Sequence, residues 1–511
     1  MKNKSKFLVF LPLLLWALSI PFRMYYVTDT TPVNNVAHIF MLQTIDIWKN
    51  EGPCVSNFAM KHTYENPGDK HITYYKRLVD KEGFNYYISH PPLSQSLVWF
   101  FSAGGRIHVN NLFLTWLALL TQLVTVYFLF FTLQLLLKNK PYANLASFFA
   151  IIVYTFHPVI LYLTTFHFFA ESLGQMFFMI CLYYLTKVLT ANKKPAVKTL
   201  LILFVSGFLF ALSEWLSLFM VIAIFVLIVL CKKNRNTLLK PFLAMGTGVA
   251  VAVTLFAVQH IQLTDVQTFV KALGIRYVER SGFFGDTYTD MGYSYLNPQS
   301  YLLLLKQTAE LFKGVGVLFF VIFLADIFRR KARVFSTEKK TIVNIMLLSC
   351  GFYFLALFSA TVTHYIYIAK WVIPLTILSV PVLFELSQGF RNKTLKIFTI
   401  VIVSGSVVWS GFVFSKKASL LQKPDPVVVE MANYISKNVE KDVSVFCAPT
   451  EDQQITWVIW LSYASKRNIA IAKDEQSICY YMATEPEKYV YIIPDSKGFE
   501  IREGVCLRKG E

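Results

Sequence analysis

Long apolar runs separated by short basic connections set the pattern of this chain. Residues 7–22 are apolar after Met1-Lys2-Asn3-Lys4-Ser5-Lys6, and further apolar stretches lie near 111–137, 142–165, 170–186, 241–262, 314–328, 342–361, 365–386 and 397–414. About 20 such residues cross a bilayer as a helix. The stretch 199–231 is too long for one comfortable span and short for two, and Ser213-Glu214-Trp215 sits in its middle. A lone acid at the bilayer centre costs about 2.5–3.5 kcal/mol on insertion scales. Lys193-Lys194 and Lys232-Lys233 flank the stretch, and the positive-inside rule puts both pairs in the cytoplasm. Two short helices turning at Glu214 are therefore expected. The pattern predicts an all-α polytopic membrane protein of about 11 transmembrane helices, with its N-terminus in the cytoplasm and the first helix uncleaved.

Composition agrees. Of 511 residues, 55% are hydrophobic and only 16% charged, against roughly 25% charged in soluble domains. A net charge of +18 would raise nucleic acid as a partner in a soluble protein. Here the short connections assigned to the cytoplasm hold 22 Lys/Arg and one acidic residue, Glu338. The excess is thus a topology signal, and no nucleic-acid partner is implied.

Two larger pieces fall outside: a first loop over 23–110 and a polar tail. The chain divides on this reading into a transmembrane part, 1–414, which includes that loop, and a tail, 415–511. In the tail, Asp425-Pro426 looks like a helix cap with proline at the first helical position. A helix to about Val439 follows, then β-like runs at 443–448, 469–472 and 489–493, so a small extracytoplasmic α/β C-terminal domain is expected. Cys54, Cys447, Cys479 and Cys506 all lie outside, where a disulfide can form; their spacing does not choose a pairing. Asn-x-Ser/Thr sequons occur only at Asn3 and Asn392, both on the expected cytoplasmic side, so a bacterial inner membrane is the default.

In the first loop, residues 33–49 are amphipathic at helical period. Val36, Phe40, Met41, Thr44 and Trp48 fall on one arc; Asn34, Asn35, His38, Asp46 and Lys49 fall on the other. Such a helix either lies on the bilayer surface or lines a cleft with its polar face. Tyr86-Tyr87-Ile88-Ser89-His90-Pro91-Pro92-Leu93 follows. Its two prolines fix an extended backbone and place Tyr87 and His90 where a hydroxyl or an anion can be met.

The order of first helix, amphipathic external helix, His90-Pro91-Pro92-Leu93, short apolar helix and Gly104-Gly105 resembles the dolichyl-phosphate-mannose–protein mannosyltransferase-like family. These are glycosyltransferases of the GT-C fold and include the aminoarabinose transferases that modify lipid A. The resemblance covers residues 7–230 and, by architecture, the rest. It implies hexosyl or pentosyl transfer from a polyprenyl-phosphate-linked donor to a glycolipid, polysaccharide or protein acceptor on the extracytoplasmic face, as in cell-envelope glycan assembly. The family's loop carboxylate acts as general base on the acceptor. At the matching place this chain has Asn34-Asn35 before His38, and an amide cannot take a proton. Asp29 is the nearest candidate base and Asp46 the second. Glu171 matches an acid at the outer start of a family helix, although an acid there also suits the helix dipole. Asn34, Asn35, His38, Tyr87 and His90 would line the acceptor cleft. No cofactor is implied, and a divalent metal stays open.

A sugar–phosphate bond that breaks leaves charge on the phosphate, so fixed cations there stabilise the transition state. Arg276 and Arg280 stand in one external loop, and His364, Tyr367 and Lys370 recur at three-residue spacing in another. All five are candidate donor-phosphate ligands, with an interfacial aromatic belt and a snorkelling Lys370 as the plain alternative. Two other functions stay open: a transporter or flippase of lipid-linked sugars, and a relative that keeps the fold without catalysis.

Overall fold

The computed structural model describes residues 2–27, 36–70, 78–191, 194–231, 235–289, 292–312, 337–389, 393–419, 426–448, 454–482, 487–495 and 498–506. The chain is mostly helical and falls into two compact units. One comprises 1–27, 115–256 and 276–418. The other comprises 28–114, 257–275 and 419–511.

The first unit holds the apolar helices. Among the described residues, five are long and apolar enough to cross a membrane: Asn111–Leu136, Ala170–Ala191, Arg235–Leu263, Lys339–Ala356 and Ile366–Glu385. A sixth span is made if Ala143–Thr155 and Pro158–Phe166, bent by 57°, count as one. Proline at the first helical position makes that bend, because it lacks an N–H and crowds the preceding turn. His157 caps the second segment, accepting from Val159 N at 3.3 Å through Nδ1. The chain is an integral membrane protein. The stretch around Glu214 folds as two short helices, Val197–Ala211 and Leu216–Leu230. The span expected at 314–328 lies outside the described residues. That expected at 365–386 starts as a 3-10 helix, Tyr365–Trp371, before the α-helix Val372–Gly389.

The second unit joins the first loop to the tail. Short strands β1 (Met60–Lys61), β2 (Leu78–Val79) and β3 (Asn85–Tyr87) form an antiparallel sheet in the order β1-β3-β2. Four more, β4 (Ser444–Cys447), β5 (Ile469–Ile471), β6 (Glu487–Asp495) and β7 (Gly498–Cys506), form a sheet ordered β5-β4-β6-β7. β4 runs parallel to β5 and β6, and β7 returns antiparallel along β6. The helices Pro426–Asn438 and Gln454–Ser465 pack Met431, Ile435 and Trp457 into one core with Val445 and Ile469.

That core also takes in Ile39 and Phe40 from the loop helix Val36–Glu51. The amphipathic pattern predicted one buried arc; on the polar arc His38 is nonetheless completely buried and Asp46 half-buried, while Lys49 is exposed. The tail reaches this helix through Ile39 and Phe40, and its Lys466 pairs with Asp46 on the polar arc. At 25 cal/mol per Å², each large side chain so enclosed contributes about 1.5–3 kcal/mol. A buried ion pair and a close backbone approach hold loop to tail. Arg467 Nε donates to Asp69 Oδ1 at 2.8 Å, and its Nη atoms donate to the carbonyls of Val439, Glu440 and Val443. Gly68 lies so close to the Val443 backbone that a Cβ would meet it at 2.5 Å. Cys479 and Cys506 form a disulfide, with their Cα atoms 5.2 Å apart.

Candidate functional site

The break between Val197–Ala211 and Leu216–Leu230 frees a turn that carries Glu214 inward, where it is fully buried. Trp215 N donates to Glu214 Oε1 at 3.0 Å. Gly174, on the helix Ala170–Ala191, lets that helix approach: a Cβ there would meet Glu214 Cβ and Cγ at 3.0 Å. Glu171 stands one turn earlier on the same helix, with a carboxylate oxygen within 4.8 Å of one from Glu214. His167 Nε2 lies 3.1 Å from Glu171 Oε2. Two carboxylates at this spacing offer oxygen ligands of the kind a divalent cation takes from a site that leaves positions for substrate.

Lys370 faces Glu214 at 3.2 Å. A 3-10 helix repeats every three residues, so the spacing of His364, Tyr367 and Lys370 puts them in one row, with His364 as the residue before its first turn. Lys370 Nζ lies 4.2 Å from the Tyr367 ring centroid and 4.3 Å from that of Tyr353. Such cation–π contacts hold an ammonium without neutralising it. Cys350 Sγ donates to the Lys370 carbonyl at 3.3 Å and fixes its backbone. Arg280 Nη1 donates to Tyr367 Oη at 2.8 Å, and the His364 and Tyr367 rings lie 5.6 Å apart. Arg276 pairs instead with Glu279, at 2.9 Å.

The structure thus gathers five of the sequence candidates, Glu171, Arg280, His364, Tyr367 and Lys370, around two residues that sequence reasoning left out of the site, Glu214 and Tyr353. Glu214 gave a signal, since an acid in an apolar stretch demands a partner. Tyr353, inside an apolar helix, gave none.

In the other unit, Phe40, His62, Tyr87 and His90 make a run of rings. Phe40 stacks on His62 at 4.5 Å, His62 on Tyr87 at 5.3 Å, and Tyr87 on His90 at 6.2 Å. Burial holds the His62 imidazole down to about 3, so it stays neutral. His62 falls in a polar, aperiodic stretch and escaped the sequence reading. His38 Nδ1 lies 3.3 Å from Asn111 Oδ1. Asp46 is half-buried and pairs with Lys466 at 3.0 Å. Asp29, Asn34 and Asn35 lie outside the described residues.

No protein-family model and no curated protein matches the chain. Solved structures do. The apo oligosaccharyltransferase of Archaeoglobus fulgidus superposes with a TM-score of 0.61 at 12% identity, covering 93% of this chain and 66% of its own. The same archaeal enzyme, AglB, in complex with an inhibitory peptide and a dolichol-phosphate, gives 0.56 at 11% identity, over 91% and 64%. ArnT from Cupriavidus metallidurans, bound to undecaprenyl phosphate, gives 0.53 at 11% identity, over 96% of this chain and 93% of its own. The chain spans about two thirds of the length of the archaeal enzyme and nearly all of ArnT. Its fold is that of the GT-C glycosyltransferases.

Proposed function

We propose that this protein is a glycosyltransferase that moves a sugar from a polyprenyl-phosphate-linked donor to a glycolipid, polysaccharide or protein acceptor. The observation that carries the reading is the grouping of half-buried Arg280 with buried Tyr367 and Lys370 beside Glu171 and Glu214. Fixed cations in a site sheltered from water stabilise the charge that grows on a leaving phosphate. Arg280 and Lys370 would hold that phosphate, Tyr367 would orient Arg280, and His364 would border the row. Arg276 is held by Glu279 and would act from the edge. Glu171 stands beside Glu214, the carboxylate that meets Lys370, while Asp29 and Asp46 are the bases that the family resemblance suggests. Asn34, Asn35, His38, Tyr87 and His90 would receive the acceptor.

The Cys479–Cys506 disulfide supports an extracytoplasmic tail, since such bonds persist in oxidising compartments. With the N-terminus inside, the reaction would then take place at the outer face of a bacterial plasma membrane. The undecaprenyl phosphate and dolichol-phosphate in the ArnT and AglB structures support a lipid-phosphate donor here.

The test is sugar release from polyprenyl-phosphate sugars by purified protein, with Asp29→Asn, Asp46→Asn and Glu171→Gln alongside. Turnover by the wild type with loss in one of the three identifies the proton acceptor. No turnover with any donor, while lipid-linked sugar crosses the bilayer, would overturn the reading in favour of a flippase.

A further inference from the structure

Lys370 is the buried cation of the site, and its ammonium group is not spent. It lies 3.2 Å from Glu214 Oε2, yet neither atom makes an aligned hydrogen bond among the described residues. The hydroxyl of Tyr353, whose ring lies against Lys370, is likewise buried and without a hydrogen-bond partner among them. The ammonium carries three donors and the phenol one. Buried donors left unmade cost free energy. Even with one ammonium N–H given to Glu214, two donors of Lys370 and the Tyr353 hydroxyl stay unspent, enough for an anion richer in oxygen than one carboxylate.

The charges around the pair add a second constraint. Glu171 and Glu214 come within 4.8 Å, and Arg280 and Lys370 supply two positive charges against them. In this set Lys370 is already taken up by Glu214. A phosphate entering it must either share Lys370 with Glu214 or displace that carboxylate.

Resting on the lipid-phosphate reading above, we infer that Glu214 is an internal stand-in for the donor phosphate: it occupies Lys370 until the lipid phosphate replaces it. Glu214 is a positioning residue. It keeps Lys370 aimed within the tyrosine pair while the site is empty, and it gives up that contact when phosphate arrives. Gly174 leaves the room that Glu214 needs to lie there.

A self-occupied site binds its ligand more weakly by the fraction of time it is free. If the pair is closed nine-tenths of the time, Glu214→Gln raises phosphate affinity by about tenfold. A purely structural Glu214 predicts the opposite, since losing it would loosen the site. The experiment is equilibrium binding of undecaprenyl phosphate in detergent to the purified full chain. It compares wild type, Glu214→Gln, Lys370→Met and the paired Glu214→Gln/Lys370→Met. The inference expects tighter binding to Glu214→Gln and loss of binding to both variants that lack Lys370.

It is overturned if Glu214→Gln binds as the wild type does, or more weakly, while Lys370→Met has lost binding. Unchanged binding to Lys370→Met sinks instead the reading of this cluster as a phosphate site. Should Glu214→Gln not fold, Glu214→Asp serves: its carboxylate is one methylene shorter and reaches Lys370 less well. It is expected to bind more tightly than wild type and less tightly than a fully freed site. Wild-type affinity in Glu214→Asp overturns the inference as well.

Discussion

Arg280 Nη1 donates to the Tyr367 hydroxyl at 2.8 Å, joining the helix Val266–Ser281 to the 3-10 helix that carries Lys370. Tyr367 thus serves two cations at once, through its hydroxyl and through its ring face. Tyr367→Phe keeps the ring and deletes the hydrogen bond. A hydrogen bond to a charged group is worth about 1.5–3 kcal/mol, so donor KM is expected to rise by about tenfold or more, with the fold intact. Arg280→Met removes a cation and is expected to cost more than Tyr367→Phe. Steady-state kinetics over donor concentration check the order of the two effects; equal, negligible changes would remove Arg280 and Tyr367 from the site.

Gly174→Ala probes the approach of the helix Ala170–Ala191 to Glu214. The added methyl meets Glu214 Cβ and Cγ at 3.0 Å, a contact that one of the two must yield. A displaced Glu214 shifts Lys370 with it, so turnover is expected to fall by about tenfold or more, on the scale that small misplacements cost. Circular dichroism and thermal unfolding should change little. Full activity in Gly174→Ala would mean that the position of Glu214 does not matter.

Arg467→Met leaves the Asp69 carboxylate buried and strips donors from the carbonyls of Val439, Glu440 and Val443. Breaking a buried pair from one side costs about 3–5 kcal/mol. Denaturant or thermal unfolding of the unit formed by loop and tail should show that loss. A change below about 1 kcal/mol would place the attachment of loop to tail in the apolar core alone.

The neutral His62 sets a pH dependence with a definite sign. Its native value near 3 lies below the ordinary 6.5 of an unfolded chain, so the unfolded state binds the extra proton. Stability is unaffected above about pH 6.5 and is lost as pH falls toward 3. By linkage the loss at pH 5 is about 2 kcal/mol. His62→Gln should flatten the decline of unfolding midpoint between pH 7 and pH 5. An unchanged slope in that variant would show that other groups set it.

The membrane character, the break at Glu214 and the row His364, Tyr367, Lys370 were legible in the sequence, because each follows from a local period or a local cost. The helix 36–51 was read as one-faced, since nothing in its own residues shows that Met431 and Trp457 of the distant tail share its core. His62 had no period around it to mark it. Glu214 announced that it needed a partner without naming Lys370, which arrives from another helix pair. Side chains that meet only through tertiary packing leave no spacing to read. Four of the five donor candidates came together for the opposite reason: they sit close in sequence within two short segments that each fold locally.

In the proposed function Arg280 and Lys370 hold the phosphate of a lipid-linked sugar during its transfer. The most direct test is single-turnover release of sugar from a polyprenyl-phosphate donor by purified wild type, Lys370→Met and Arg280→Met. Removing one such charge-stabilising donor costs about 10²–10³ in rate. A drop of that size in both variants, with folding preserved, is the predicted result; release at the wild-type rate in either would contradict it.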